Sequence, residues 1–169
     1  MDTKLITIDY GGDRKHRRFI KDAINTATLD VLSEFLSLVH GELEEVIFIP
    51  KEALTYNSIL VYNSGTLLLV GTNTNLDFFT YGYQGSGPER FSKFLSYEGF
   101  LGSYKSLIFN ILSKIEKPLI LKRDGSIIKG EFSGESLIWE DDREFNLSDF
   151  NAITEKLENK SERPWWRFW

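Results

Sequence analysis

Apolar and polar positions change period repeatedly along the chain, and each change predicts an element. Leu5, Ile6 and Ile8 lie in a short run over residues 4–9, which predicts a first strand buried on both faces. Tyr10, Gly11 and Gly12 break it. Asp13 can then cap a helix in which Phe19, Ile20, Ala23 and Ile24 form an apolar stripe. Thr28 can cap a second helix, with Leu32, Phe35, Leu36 and Val39 inward and Gly41 at its end. Val46, Ile47, Phe48 and Ile49 follow as the apolar run of an interior strand. Strand, two helices, strand predicts a crossover unit, and hence a mixed sheet with at least one parallel pair.

Residues 58–62 and 66–70 are β-rich and joined by Asn63, Ser64 and Gly65, the signature of a hairpin. Phe78, Phe79, Tyr81 and Tyr83 predict a third strand, completing an antiparallel meander that empties into Gly82, Gly85 and Gly87. A helix restarts there with Pro88 at its first position, Glu89 in its first turn, and Phe91, Phe94 and Leu95 at helical spacing. Ser103 can cap a further helix with Leu107, Ile108, Ile111, Leu112 and Ile115 inward. Residues 119–122 and 127–132 form a second hairpin across residues 123–126, and Leu137, Ile138 and Trp139 suggest another strand. Ser148 opens a last helix through Phe150, Ile153 and Leu157. The predicted class is α+β: a mixed sheet with an N-terminal β-α-α-β unit, a central antiparallel meander and flanking helices. Residues 1–160 make a single domain, and residues 161–169 an aromatic C-terminal tail.

Composition narrows this picture. The 169 residues suit one domain, and 41% hydrophobic with 14% aromatic content supports a real core. The chain has no cysteine, which excludes disulfides and thiolate chemistry and fits a reducing cytosol. No signal peptide and no bilayer-length apolar run is read, so a cytoplasmic protein without a membrane span is expected. The net charge of −5 hides a local reversal: Arg14, Lys15, Arg17, Arg18 and Lys21 are five of the twenty basic residues. Arg14, Arg17, Arg18 and Lys21 fall at i, i+3, i+4 and i+7, one ridge of the first helix. An acidic partner such as a nucleotide, another phosphate or an acidic protein would relieve their mutual repulsion. The narrow footprint and overall negative charge argue against duplex DNA.

The glycine turn is the second chemical clue. A turn at a helix start points backbone N–H groups outward at the positive end of the dipole, a disposition that suits phosphate or carboxylate, and Ser86 can add a hydroxyl. Pro88 and Glu89 occupy the places where a P-loop needs its lysine and hydroxyl residue, and the G-x-x-G-x-G order differs from the dinucleotide fingerprint. The plain alternative is a structural corner whose glycines only supply positive φ. The run Tyr81, Gly82, Tyr83, Gln84, Gly85, Ser86, Gly87, Pro88 resembles the W/Y-G-Y-G-G-S-G-P segment of small uncharacterised proteins carried by phages, prophages and plasmids. Gln84 stands where that group commonly has glycine. The resemblance covers about twenty residues; it implies a mobile-element accessory protein and brings no catalytic role.

His16 and His40 are the only imidazoles, and neither has a nucleophile or carboxylate partner evident in sequence. No catalytic residue, cofactor or metal site is read; Asp141, Asp142 and Glu144 lack EF-hand spacing and suit a solvated turn. Trp165, Trp166, Phe168 and Trp169 crowd the final residues, suited to folding back or to docking a partner protein or a second copy. The expected function is a non-enzymatic binding protein. In the first version a phosphate-bearing ligand such as a nucleotide is held by Arg14, Arg17, Arg18, Lys21, Tyr81, Tyr83, Gly85, Ser86 and Gly87. The alternative is a protein-interaction module (immunity, inhibitor or assembly factor) using the tail and the acidic surface.

Overall fold

The computed structural model describes residues 5–7, 33, 36–38, 40–51, 54, 57–65, 67–70, 79–152 and 155. Among the described residues eight strands form one sheet: β1 (Leu5–Thr7), β2 (Leu43–Phe48), β3 (Ser58–Tyr62), β4 (Leu67–Val70), β5 (Leu119–Lys122), β6 (Ile127–Ser133), β7 (Ser136–Trp139) and β8 (Glu144–Asn146). Their order is β1-β4-β3-β2-β5-β6-β7-β8. Every neighbouring pair is antiparallel except β1 and β4, which are parallel. The mixed α+β sheet read from the sequence is present. The crossover from β1 reaches past two strands: its parallel neighbour is β4, with β3 lying between β4 and β2.

Alternation along the central strands builds two cores. Val46 and Phe48 of β2, Leu60 and Tyr62 of β3, Val70 of β4 and Leu121 of β5 face one way. Ile47, Ile49, Ile59, Leu69 and Ile120 face the other. A register shift between Leu43 and Glu45 adds one residue to β2, which puts Leu43 on the same side as Val46. The first side is covered by helices: α1 (Ser86–Tyr97) through Phe91, Phe94 and Leu95, and α2 (Lys105–Leu112) through Ile108 and Leu112. A 3-10 turn over Phe100–Ser103 joins them, with Phe100 fully buried. Leu36 also joins this core, from a helical stretch closed by Gly41, whose φ of 87° and N–H bond to the Ser37 carbonyl make the expected C-terminal stop.

The second side is covered by the sheet itself. β6 pairs with β5 through residues 127–129 and with β7 through residues 130–133, so it is the corner at which the sheet rolls over. Leu137, Trp139, Phe145 and Leu147 are thereby laid against Ile47, Ile59 and Ile120. Gly130 stands at the corner opposite Trp139; a Cβ there would lie 2.7 Å from Trp139 Cε3 and 3.1 Å from Pro118 Cβ. The missing side chain is what lets the indole lie across the strand. Arg143 ties the folded-over end back, with its guanidinium 2.5 Å from Glu45 Oε1 on β2 and 2.6 Å from Asp141.

Several expectations need correction. Residues 79–83 are not a strand: Phe79 is fully buried edge-on against Phe91 and Phe94, so the antiparallel run is β2-β3-β4. Phe79 and Tyr81 serve the core between sheet and helices, and that packing overrides β-propensity. α1 starts two residues before Pro88, at Ser86. Tyr104, not Ser103, precedes α2, and Ser103 is exposed with φ of 71°. Leu107, expected inward, is 52% exposed. The helix after Ser148 is present over residues 147–152 and at 155. The basic ridge at Arg14, Arg17, Arg18 and Lys21 and the tail aromatics Trp165, Trp166, Phe168 and Trp169 lie outside the described residues.

Candidate functional site

The glycine turn is largely engaged by its own chain. Gly82 has φ of 84° and donates its N–H to the Leu112 carbonyl at 2.8 Å, satisfying one of the orphan acceptors at the end of α2. A Cβ at Gly82 would sit 2.9 Å from the Ile115 carbonyl oxygen, so both the conformation and the space require glycine. Gly85 is extended, and its reason is different. The Tyr83 ring lies against it, within 2.5 Å of where a Cβ would be, with the Tyr83 hydroxyl 2.9 Å from Thr80 Oγ1. Tyr81 is turned inward: its ring meets Phe48 edge-on and its hydroxyl donates to the Asn57 carbonyl.

Gly82, Tyr83, Gln84 and Ser86 of the turn are exposed, and at Ser86, the start of α1, no side chain caps the helix. Gly87 and Pro88 are buried beneath it, and Glu89 pairs with Lys105 at 3.0 Å. The structure thus brings Gly85, Ser86 and Gly87 together with Tyr83, and separates Tyr81 from them into the core.

A second cluster escaped the sequence reading because it joins four distant segments. Glu98, at the end of α1, is buried and accepts hydrogen bonds from Ser33 Oγ at 2.6 Å and Ser37 Oγ at 3.2 Å. Arg123 bonds the Leu43 carbonyl through Nε and the Glu98 carbonyl through its guanidinium, pairs with Glu42 at 3.3 Å, and lies over the Phe100 ring. Burial pushes the Glu98 carboxyl above the usual glutamate range; the two serine hydroxyls and Arg123 pull it back in part, and Glu42 adds to the rise. Burial and Glu98 together push the Tyr62 hydroxyl up, while burial lowers His40, whose ring packs on Tyr62. The cluster ties Ser33 and Ser37 to the end of α1. Because the folded-state value of Glu98 is raised, its contribution to stability is complete below about pH 4.5, the ordinary glutamate value, and declines as pH rises through the raised value. Glu98→Gln removes the charge and keeps an acceptor. Urea unfolding from pH 4 to pH 8 is expected to show the variant gaining on the parent as pH rises; parallel curves would contradict this.

A further open feature lies elsewhere. A groove of about 1030 Å³ runs between the end of α2 and the helix-side face of β6 and β7. Leu121 and Leu119 of β5 pair with Ile127 and Lys129 of β6, so those four share one face, and Ile138 of β7 pairs with Glu131 on it. Among the described residues the helix layer stops over β5. Ile127 and Ile138 are left 40% and 48% exposed as the groove floor, and Asn110, Ile111 and Lys114 form the opposite wall. Lys114, Lys117 and Lys129 balance Glu116, Glu131 and Glu140 along the lining. The sequence did carry a signal for this floor. Three consecutive apolar residues in the four-residue strand β7, and two at the start of β6, put an apolar side chain on both faces.

No described helix is long and apolar enough to cross a membrane, and no group of metal-ligating side chains occurs among the described residues. No family model, curated protein or solved structure matches the chain.

Proposed function

We propose that the chain is a protein-interaction module, of the immunity, inhibitor or assembly-factor kind, that holds an apolar segment of a partner protein along the α2/β6-β7 groove. The observation that carries this is the pair Ile127 and Ile138, two branched side chains left open on a sheet floor beside a closed core. The groove's size suits a few bulky side chains, and its evenly mixed charged rim suits a segment carrying both signs. Selection from a random peptide library on the immobilised full chain is expected to enrich aromatic and branched apolar residues. Ile127→Glu and Ile138→Glu, both at exposed positions, are expected to weaken the selected peptides about 10-fold or more, the worth of one buried aliphatic contact. Peptides indifferent to both substitutions would overturn the reading.

A second reading keeps the glycine turn, because α1 opens at Ser86 and Gly87 without a side-chain cap. Here a phosphate-bearing ligand such as a nucleotide is held by Gly85, Ser86 and Gly87 with Arg14, Arg17, Arg18 and Lys21, and Tyr83 would have to leave Gly85 to stack on it. It ranks second because the Tyr83 ring covers Gly85 and Glu89 puts a negative charge in the first turn. A nucleotide at 100 times its Kd is expected to stabilise the fold by about 2.7 kcal/mol, lost in Arg17→Ala and Arg18→Ala. No thermal shift with any nucleotide, cyclic dinucleotide or inorganic phosphate removes this reading. Either version accords with a mobile-element accessory role, to which the Tyr81 to Pro88 resemblance points.

A further inference from the structure

We infer that the groove discriminates between partner segments by charge: the apolar side chain seated on Ile138 must be flanked by lysine or arginine, and Glu131 and Glu144 are the residues that read it. The inference rests on the groove being the recognition surface and adds which segments that surface accepts. Three observations carry it.

The first is strand register. Ile138 of β7 pairs with Glu131 of β6 on one side and with Glu144 of β8 on the other. Directly paired residues point to the same face, with Cβ atoms about 4.5–5.5 Å apart. A half-exposed isoleucine therefore stands in a row between two exposed glutamates. Whatever covers Ile138 brings its own neighbouring side chains within reach of both acids.

The second is that neither acid is spoken for. Arg143, in the β7–β8 turn, is already engaged by Glu45 and Asp141. Among the described residues Glu131 and Glu144 take part in no ion pair. In water this costs little, since their backbones are two strand spacings, about 10 Å, apart. A partner that covers Ile138 removes part of that water, and unpaired charges then become costly while like charges repel more strongly. A cation in the partner offsets both effects. An acid there adds a third charge of the same sign.

The third is the asymmetry of the lining. Lys114 and Lys117 follow α2 on the far wall, and Lys129 lies two residues before Glu131 on the same face of β6. Their charge is partly compensated, because Glu116 stands between the first two in the chain and Glu140 accepts the Lys129 amide at 3.3 Å. The row across Ile138 has no such compensation. The accepted segment thus lies with its cationic part towards β8 and a neutral or acidic part towards α2, which is electrostatic specificity laid over an apolar anchor.

Parallel selections from one peptide library, on the immobilised full chain and on its Glu131→Lys variant, test this. On the parent, lysine and arginine are expected to be enriched beside the apolar anchor residue. On Glu131→Lys that enrichment is expected to give way to aspartate and glutamate, and the parent-selected peptides are expected to bind about 10-fold more weakly. Glu131→Gln and Glu144→Gln, which only remove a charge, are expected to weaken them about 3-fold each, and less at high salt. Glu44→Lys makes the same charge change at an exposed position outside the groove lining, and is expected to leave the peptides unaffected. Peptides that lose binding in Ile138→Glu yet carry the same flanking residues on the parent and on Glu131→Lys overturn the charge reading and leave the groove reading standing. Equal weakening by Glu44→Lys and Glu131→Lys also overturns it, because net charge would then set the preference. Peptides indifferent to Ile138→Glu overturn both.

Discussion

Trp139→Ala is expected to cost about 3–5 kcal/mol, a loss of roughly 10 °C or more in Tm for a chain of this size. The indole is 2% exposed, edge-on to Phe145 at 5.6 Å, and spans the corner where β6 passes from β5 to β7. Removing it leaves a cavity that cannot collapse easily, because the ring separates two differently directed halves of one sheet. Gly130→Ala probes the same contact from the other side. Its Cβ would meet Trp139 Cε3 and Cζ3 at 2.7 and 2.8 Å, so the ring must move or the strands must part, at a cost of about 1–3 kcal/mol. Because both changes act on one contact, the double variant is expected to fall short of the sum of the two in urea titrations. Simple additivity would mean that the ring and the glycine do not support one another.

Phe91→Ala is the second large effect, again about 3–5 kcal/mol. Phe91 is wholly buried and joins the helix layer to the sheet. It meets Phe79 edge-on at 5.0 Å and leans on Phe48 of β2 at 5.7 Å, while Phe48 meets Tyr81 at 4.9 Å. Edge-to-face pairs add to the burial itself, so Phe91→Leu keeps most of the apolar area and loses the ring contacts. It is expected to cost clearly less than the alanine change. Equal losses in the two variants would show that ring geometry contributes nothing here.

The regular elements were legible where a local period sets them. The hairpin across Asn63 to Gly65, the hairpin across residues 123–126 and the Gly41 helix stop all follow from turn chemistry acting over a few residues. The roll of the sheet was not legible, because it depends on Gly130 fitting Trp139 nine residues later and on Arg143 reaching Glu45 across ninety-eight positions. The glycine turn was seen, but the reasons for its glycines were not. Gly82 is fixed by the end of α2 and Gly85 by the Tyr83 ring, both contacts that only the folded chain makes. Leu107 shows the same gap from the other direction: its spacing along α2 fits the inward stripe, yet it is half exposed while Ile108 and Leu112 are buried.

The central claim is that the recognition face lies on the uncovered floor of β6 and β7, away from the start of α1. Amide chemical-shift mapping of the full chain with a library-selected peptide tests this directly. Perturbations confined to residues 110–119, 127–133 and 138–140 are the expected result, and a footprint centred on residues 82–89 with those segments silent would contradict it.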